Sequence, residues 1–328
     1  MSRANWSKIS KTALLYSQEP EGYIPALADW VECQALLHLA NGCDKTTLIA
    51  TLKITDWESP NKDIPTNHDL LAEDVFAELA QRGKDYGARG YPFKCDHVAG
   101  RVLKFTNRNP WPYLFLLSLS YTNPVTKPKK PKGVKTGAYI FEALSWVGMN
   151  RFIGKPYPEL AGFGSCHHFG DPSLSKLPHK FHEKIDVLAA EFREGGGYKP
   201  EHTGHRKVSG DGGLDVLLRR GFPDDRGAQF FFFGGCAAGH NLFSTKRAEC
   251  NPKKWFHKHF QQTFHGLYGV ARGYFLPRQI GKDAWEDTAI MAGTVIDRCR
   301  ISHITCKSRS QHLAEARTWT ESYLGKTF

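Results

Sequence analysis

Four consecutive phenylalanines, Phe230 to Phe233, run straight into Gly234 and Gly235. In a strand, neighbouring side chains point to opposite faces. Such a run therefore fills both faces at once, and only an interior strand covered on both sides can hold it. The segment Gln229 to Phe233 is thus expected to be central in a sheet. A second apolar run, Leu214 to Leu218, lies just upstream, across a turn containing Gly221, Pro223, Asp224, Asp225 and Gly227. The two runs are read as antiparallel neighbours. A Gly-rich turn, SGDGG, sets Asp211 and Asp215 at the mouth of the first strand, and Asp224 and Asp225 are explained by turn chemistry.

Around this pair the chain alternates helix and strand. Ile140, Leu144 and Val147 line a helix from near Gly137 that carries Glu142, and Ile185, Leu188, Ala189 and Phe192 line another, stopped by Gly195 to Gly197. Tyr274 to Pro277 reads as a strand, Trp285, Ala289, Ala292 and Ile296 as a helical stripe, and Ile301 to Cys306 as a last strand. Toward the N-terminus the pattern is helical. Ala72, Val75, Phe76 and Leu79 share one face, and Leu27, Trp30 and Val31 begin another stripe with Asp29 and Glu32 on the polar side. Trp111 to Leu119 fits a buried strand or a core helix equally. Residues 123–137, rich in Pro and Lys, cannot be helical throughout. The expected fold is α/β: a mixed β-sheet flanked by helices over 138–328, a basic linker or loop at 123–137, and a mostly helical N-terminal domain at 1–122.

The formal net charge is +11 over 328 residues, which favours a polyanionic partner, nucleic acid first. The opening MSRANWSKISK lacks the apolar core of a signal peptide, and Trp111 to Leu119 is far shorter than the ~20 residues that span a bilayer. The eight cysteines form no CxxC pair. A reduced, cytoplasmic protein without membrane contact is expected. Cys166, His167 and His168, with His179 and His182 beyond, lack the paired spacing of structural zinc, and no Cys–His nucleophile signature is present. GDGG and GGCAAG match neither nucleotide-binding glycine pattern.

The chemistry rests on carboxylates. Mg²⁺ takes oxygen ligands, often only a few from the protein with substrate phosphates completing the set. An Asp opening a strand and a Glu on a helix beside it supply that type of ligand. Each also fits a plainer role, Asp215 as a turn residue and Glu142 as a surface helix position. Taken together, a helix bearing FEALS, a long gap, GDGGLDV and a strand ending in small residues resembles the PD-(D/E)XK (restriction endonuclease-like) nuclease superfamily, over Ala138 to Lys246. The stretch DVLLRRGFPDDRGAQFFFFGGCAAGHN, with the later VIDRC, is also similar to a group of uncharacterised bacterial proteins whose strand ends in GQCA.

The superfamily resemblance implies a metal site of a helical Glu, a strand Asp, and a Glu or Gln two residues before a Lys. Glu142 and Asp215 match the first two, and Asp211 adds a nearby acid. The remaining positions fall on Gly235 and Ala237, which have no such groups. Four explanations stay open: lost activity, a displaced lysine with Lys246 and Lys207 nearest, a different register that makes Gln229 the relevant residue, or a substitution. The reading is a metal-dependent nuclease acting on DNA, in preference to RNA, in bacterial restriction or phage defence. Its Mg²⁺ or Mn²⁺ would be held by Glu142, Asp211 and Asp215, with Lys246 stabilising charge. Lys127, Lys129, Lys130, Lys132, Lys253 and Lys254 would contact phosphates, while Trp255 either stacks a base or enters the core. The alternative is a non-catalytic subunit that binds nucleic acid or a partner protein of a defence complex.

Overall fold

The computed structural model describes residues 2–17, 23–38, 42–55, 67–96, 101–103, 110–122, 134–153, 164–169, 177–200, 212–222, 224, 226–239, 251–265 and 270–324. In chain order its elements are α1 Ser2–Tyr16, α2 Tyr23–Leu37, β1 Cys43–Asp44, α3 Lys45–Ile54, α4 His68–Gly90, β2 Lys94–Asp96, β3 Arg101–Leu103, α5 Trp111–Ser120, α6 Gly137–Phe152, β4 Gly164–His168, α7 Phe181–Phe192, β5 Val216–Arg220, β6 Phe230–Cys236, α8 Pro252–His259, β7 Ala271–Phe275, α9 Lys282–Ala292, β8 Thr294–Ile296, α10 Arg298–Thr305 and α11 Gln311–Leu324. They divide into two compact units: Met1–Gly137 with Pro277–Asp287 and Asp297–Phe328, and Ala138–Leu276 with Thr288–Ile296. The break after Gly137 coincides with the end of the basic segment. The continuous 138–328 domain is corrected, because α10 and α11 belong to the helical unit.

In the first unit, helix ends follow from capping. Asn67 accepts hydrogen bonds from the Asp69 and Leu70 amides, and Asp44 accepts one from the Thr47 amide. All ten residues of α5 are buried. A helix suits that position because it satisfies its own backbone groups, and Ser118 and Ser120 turn their hydroxyls back onto the Leu114 and Leu116 carbonyls. The strand expected at Ile301 to Cys306 is instead helix α10. Asp297 caps it by accepting from the Arg300 amide, and Arg298, Ile301, Ser302 and Thr305 form a buried i, i+3, i+4, i+7 face.

Asp29 and Glu32 are also not on a polar side. Both are buried with Arg82 and Arg298. Arg82 Nη1 lies 2.8 Å from a carboxylate oxygen of each acid, Arg298 Nη1 lies 2.7 Å from Asp29, and the Tyr121 and Tyr113 hydroxyls donate to Asp29 and Glu32. Burial opposes ionisation of Asp29, but Arg298 and Arg82 outweigh it and hold its carboxyl below the usual range. Burial wins at Glu32 and raises its carboxyl against the pull of Arg82.

The second unit is built on a mixed sheet of order β4-β5-β6-β7-β8. β5 pairs antiparallel with β4 on one side and β6 on the other, and β7 and β8 continue parallel to β6. The expected hairpin is present with its strands moved slightly along the chain, pairing Val216 with Gly234 and Leu218 with Phe232. β6 is the middle strand, as the phenylalanine run required. Phe231 and Phe233 join Leu217 in a cluster with Ile185, Leu188 and Phe192 of α7 and Trp255 and Phe256 of α8. The alternate residues Val216, Leu218 and Phe232 are buried on the other face, where Arg220 reaches the Ile153 carbonyl just past α6. Gly234 and Gly273 are a cross-strand pair, and a Cβ on Gly273 would sit 2.2 Å from the Phe232 ring. The glycines make room for the aromatic layer. Among the described residues, no helix is long and apolar enough to cross a membrane.

Candidate active site

Asp215 sits immediately before β5 and is 2% exposed. Its amide donates to the Gly234 carbonyl, and its carboxylate Oδ2 accepts the Cys236 amide at 2.6 Å. The side chain thus closes the end of the β5–β6 ladder. Gly212 and Gly213 lead into it with φ of 64° and 89°, left-handed geometry that glycine adopts freely. Gly212 lies against α8: a Cβ there would fall 3.0 Å from Trp255 Nε1 and 3.3 Å from His259 Nε2. Burial, then Lys258, pushes the His259 imidazole down to about 4, so it is neutral near pH 7.

Glu142 projects from α6 toward the same end of the sheet. Its Oε2 lies 3.3 Å from Nε2 of His168, the last residue of β4. His168 is fully buried and pairs with Val216, the residue after Asp215. The next residue, Phe169, donates its amide to the Asp215 carbonyl at 2.8 Å. Glu142 and Asp215 thus belong to the same end of the β4–β5 ladder, but strand alternation puts His168 with Val216 on the face toward Glu142 and Asp215 with Phe169 on the face toward α7.

A lysine reaches this point that the sequence reading did not single out. Lys184 of α7 is 1% exposed, and its Nζ donates to the Phe169 carbonyl at 2.9 Å while lying 4.9 Å from the Phe169 ring centroid. Its signal was present: Lys184 falls on the stripe Phe181, Lys184, Ile185, Leu188, Ala189, Phe192, a cation on an otherwise apolar face.

The other expected residues divide into three groups. Asp211, Lys246, Lys207, Lys127, Lys129, Lys130 and Lys132 lie outside the described residues. Gly235 lies inside β6, paired to Tyr274, rather than in a turn after Phe233, and Ala237 follows the strand with its amide donating to the Phe275 carbonyl. Lys253 and Lys254 are exposed on α8, together with His257 and Lys258, whereas Trp255 is in the core. The register that would make Gln229 a site residue is overturned. Gln229 precedes β6 at the end opposite Asp215, where it accepts from Arg219 and donates to the Arg226 carbonyl.

Hard oxygen donors of this kind suit Mg²⁺ or Mn²⁺ rather than zinc. Among the described residues no three His, Cys, Asp or Glu side chains are grouped to hold a metal ion. A complete set would need Asp211 or substrate oxygens beside Glu142 and Asp215. No family model, curated protein or solved structure matches the chain.

Proposed function

We propose that the second unit is a metal-dependent nuclease domain of the restriction endonuclease-like type, acting on DNA in bacterial restriction or phage defence. One observation carries this reading: Glu142 and Asp215, far apart in sequence, flank the same end of the β4–β5 ladder, Glu142 against His168 on one face and Asp215 beside Phe169 on the other. A mixed sheet with an acid at the mouth of its second strand supports it, as does the lysine Lys184 at that mouth.

In this reading Glu142 and Asp215 hold Mg²⁺ or Mn²⁺, with Asp211 the further candidate ligand. The metal, when bound, activates water and neutralises the leaving oxygen. Lys184, or Lys246 from outside the described residues, balances charge at phosphorus. Lys253 and Lys254 grip the backbone on either side without reading sequence.

A second reading is favoured by a specific feature. Asp215 Oδ2 is already engaged by the Cys236 amide, and Gly235 and Ala237 offer no side-chain ligand. A non-catalytic unit binding nucleic acid, or a partner protein of a defence complex, would need no more. The experiment is a cleavage assay on plasmid and linear DNA with Mg²⁺, run beside salt-titrated binding. The nuclease reading expects parent cleavage that Gly235→Gln raises by returning an oxygen ligand to the strand. Lys253→Ala with Lys254→Ala should weaken binding to all sequences alike and lower the log–log salt slope by roughly two. Inactive parent and Gly235→Gln proteins that still bind DNA would establish the second reading, and absence of binding at low salt would remove both DNA readings.

A further inference from the structure

Phe152, Phe222 and Phe230 are 66%, 62% and 41% exposed, and among the described residues no other phenylalanine, tyrosine or tryptophan is open to solvent to that degree. All three belong to one end of the second unit. Phe230 opens β6 and is paired with Arg220, the last residue of β5. Directly paired residues share a sheet face, so Phe230 lies on the face of Arg220. Phe222 follows Arg220 by two residues. The Arg220 guanidinium reaches the Ile153 carbonyl at 2.9 Å, and Phe152 is the residue before it, the last of α6. This end lies five residues of β5 away from Asp215, roughly 16 Å at strand rise.

Cations accompany the rings. Arg151, in the last turn of α6, and Arg226, in the turn before β6, are exposed, and Arg220 is half-buried between the strands and α6. The exposed acid among the described residues here is Asp224, 3.8 Å from Arg226 in a loose surface pair. Glu194 is buried under the Ala228 amide, and Arg219 turns to the opposite face, toward Glu191 and Gln229. Flat rings with guanidiniums beside them match a nucleic-acid strand whose bases are unpaired: each base has a π face to stack, and each phosphate a charge to meet. In a duplex those faces are already covered by neighbouring base pairs. No leucine, isoleucine, valine or methionine of this end is exposed among the described residues, so the open apolar surface is all aromatic.

We infer that Phe152, Phe222 and Phe230, with Arg151, Arg220 and Arg226, form a stacking site for single-stranded nucleic acid at the end of the sheet remote from Asp215. The site needs no metal and stands whether or not the unit cleaves DNA. Stacking is tolerant of base identity, so the site grips a strand without reading its sequence.

The test is fluorescence anisotropy of labelled oligo(dT), and of its duplex with oligo(dA), titrated with the full chain at low salt. Parent, Phe222→Leu, Phe222→Trp, Phe230→Leu and Arg226→Ala are compared, with thermal unfolding in parallel. Leu keeps an apolar side chain without a π face, and Trp keeps the face. Each Leu variant should weaken oligo(dT) binding about fivefold or more, Phe222→Trp should bind at least as tightly as parent, and Arg226→Ala should lower the log–log salt slope by about one. Duplex binding should be unchanged in both Leu variants. Irradiation of the parent complex should crosslink oligo(dT) to peptides containing Phe222 or Phe230. Parent-like oligo(dT) binding in both Leu variants at unchanged unfolding temperature overturns the inference, as does equal weakening of duplex and single strand. A parent that binds no oligo(dT) also overturns it. A parent that instead self-associates in sedimentation, and loses this in Phe222→Leu, makes the same patch an interface between copies.

Discussion

Asp215 serves the fold and the proposed chemistry through the same carboxylate, and two substitutions separate them. Removing the side chain leaves the Cys236 amide buried without its 2.6 Å acceptor. Asp215→Ala should therefore cost about 1–3 kcal/mol in denaturant unfolding. Asp215→Asn keeps an acceptor of the same shape and should cost less than half of that. Both should lose metal-dependent cleavage, since the amide carries no charge. Cleavage retained by Asp215→Asn would confine the residue to its structural role. Lys184 teaches a related lesson. It and Arg82 sit on the buried stripes of α7 and α4, where a cation is out of pattern. A charge on an apolar stripe is a signal that sequence carries. What sequence does not carry is the partner, because the Phe169 carbonyl and the Asp29 carboxylate arrive from other elements.

Among the elements, those fixed by local pattern were legible and those fixed by distant partners were not. The phenylalanine run demanded a central strand because no other place covers both faces, and β6 is that strand. The periodicity at Ala72 to Leu79 gave α4, whereas the return of the chain to the first unit at Pro277 and again at Asp297 had no counterpart in the local pattern. α10 was misread as a strand because its two isoleucines and its threonine favour β structure. Its Asp297 cap and the ionic partners of Arg298 decide otherwise. Arg298 binds Asp29 and the Pro277 carbonyl while wholly buried. Arg298→Ala should thus leave Asp29 and Glu32 with one guanidinium between them. A loss of about 3–5 kcal/mol is expected, measured as a lower denaturant midpoint for the first unit. A loss below about 1 kcal/mol would mean that water enters and replaces the arginine.

At the level of the whole molecule, one buried group in each unit responds to acid in the opposite direction to the other. Burial pushes the Asp297 carboxyl up to about 6, with the Arg300 amide and nearby guanidiniums offsetting only part of it. An acid raised in the folded state stabilises at low pH, and that contribution is lost as pH rises through about 6. The first unit should gain up to about 3 kcal/mol from this group on acidification. His259 has the opposite sign. Its imidazole is depressed to about 4, so its contribution is present above the ordinary 6.5 and lost as pH falls toward 4. Asp297→Asn, which keeps the cap, should raise stability at pH 7 and change little at pH 4. His259→Phe should protect the second unit at pH 4.5, since Nδ1 has no hydrogen-bond partner among the described residues. Pulsed hydrogen exchange resolved by peptide reports each unit separately, and a variant that keeps the parent's pH dependence of its own unit would contradict the assignment of that group.

The functional reading depends on Glu142 and Asp215 acting at one site, and a single-turnover cleavage assay interrogates it. Linear duplex DNA is incubated with the parent protein and with Glu142→Gln, in Mg²⁺ and in chelator. The account predicts cleavage by the parent in Mg²⁺ alone, and none by Glu142→Gln at equal DNA occupancy. Cleavage that persists in chelator, or that Glu142→Gln performs at the parent rate, would contradict it.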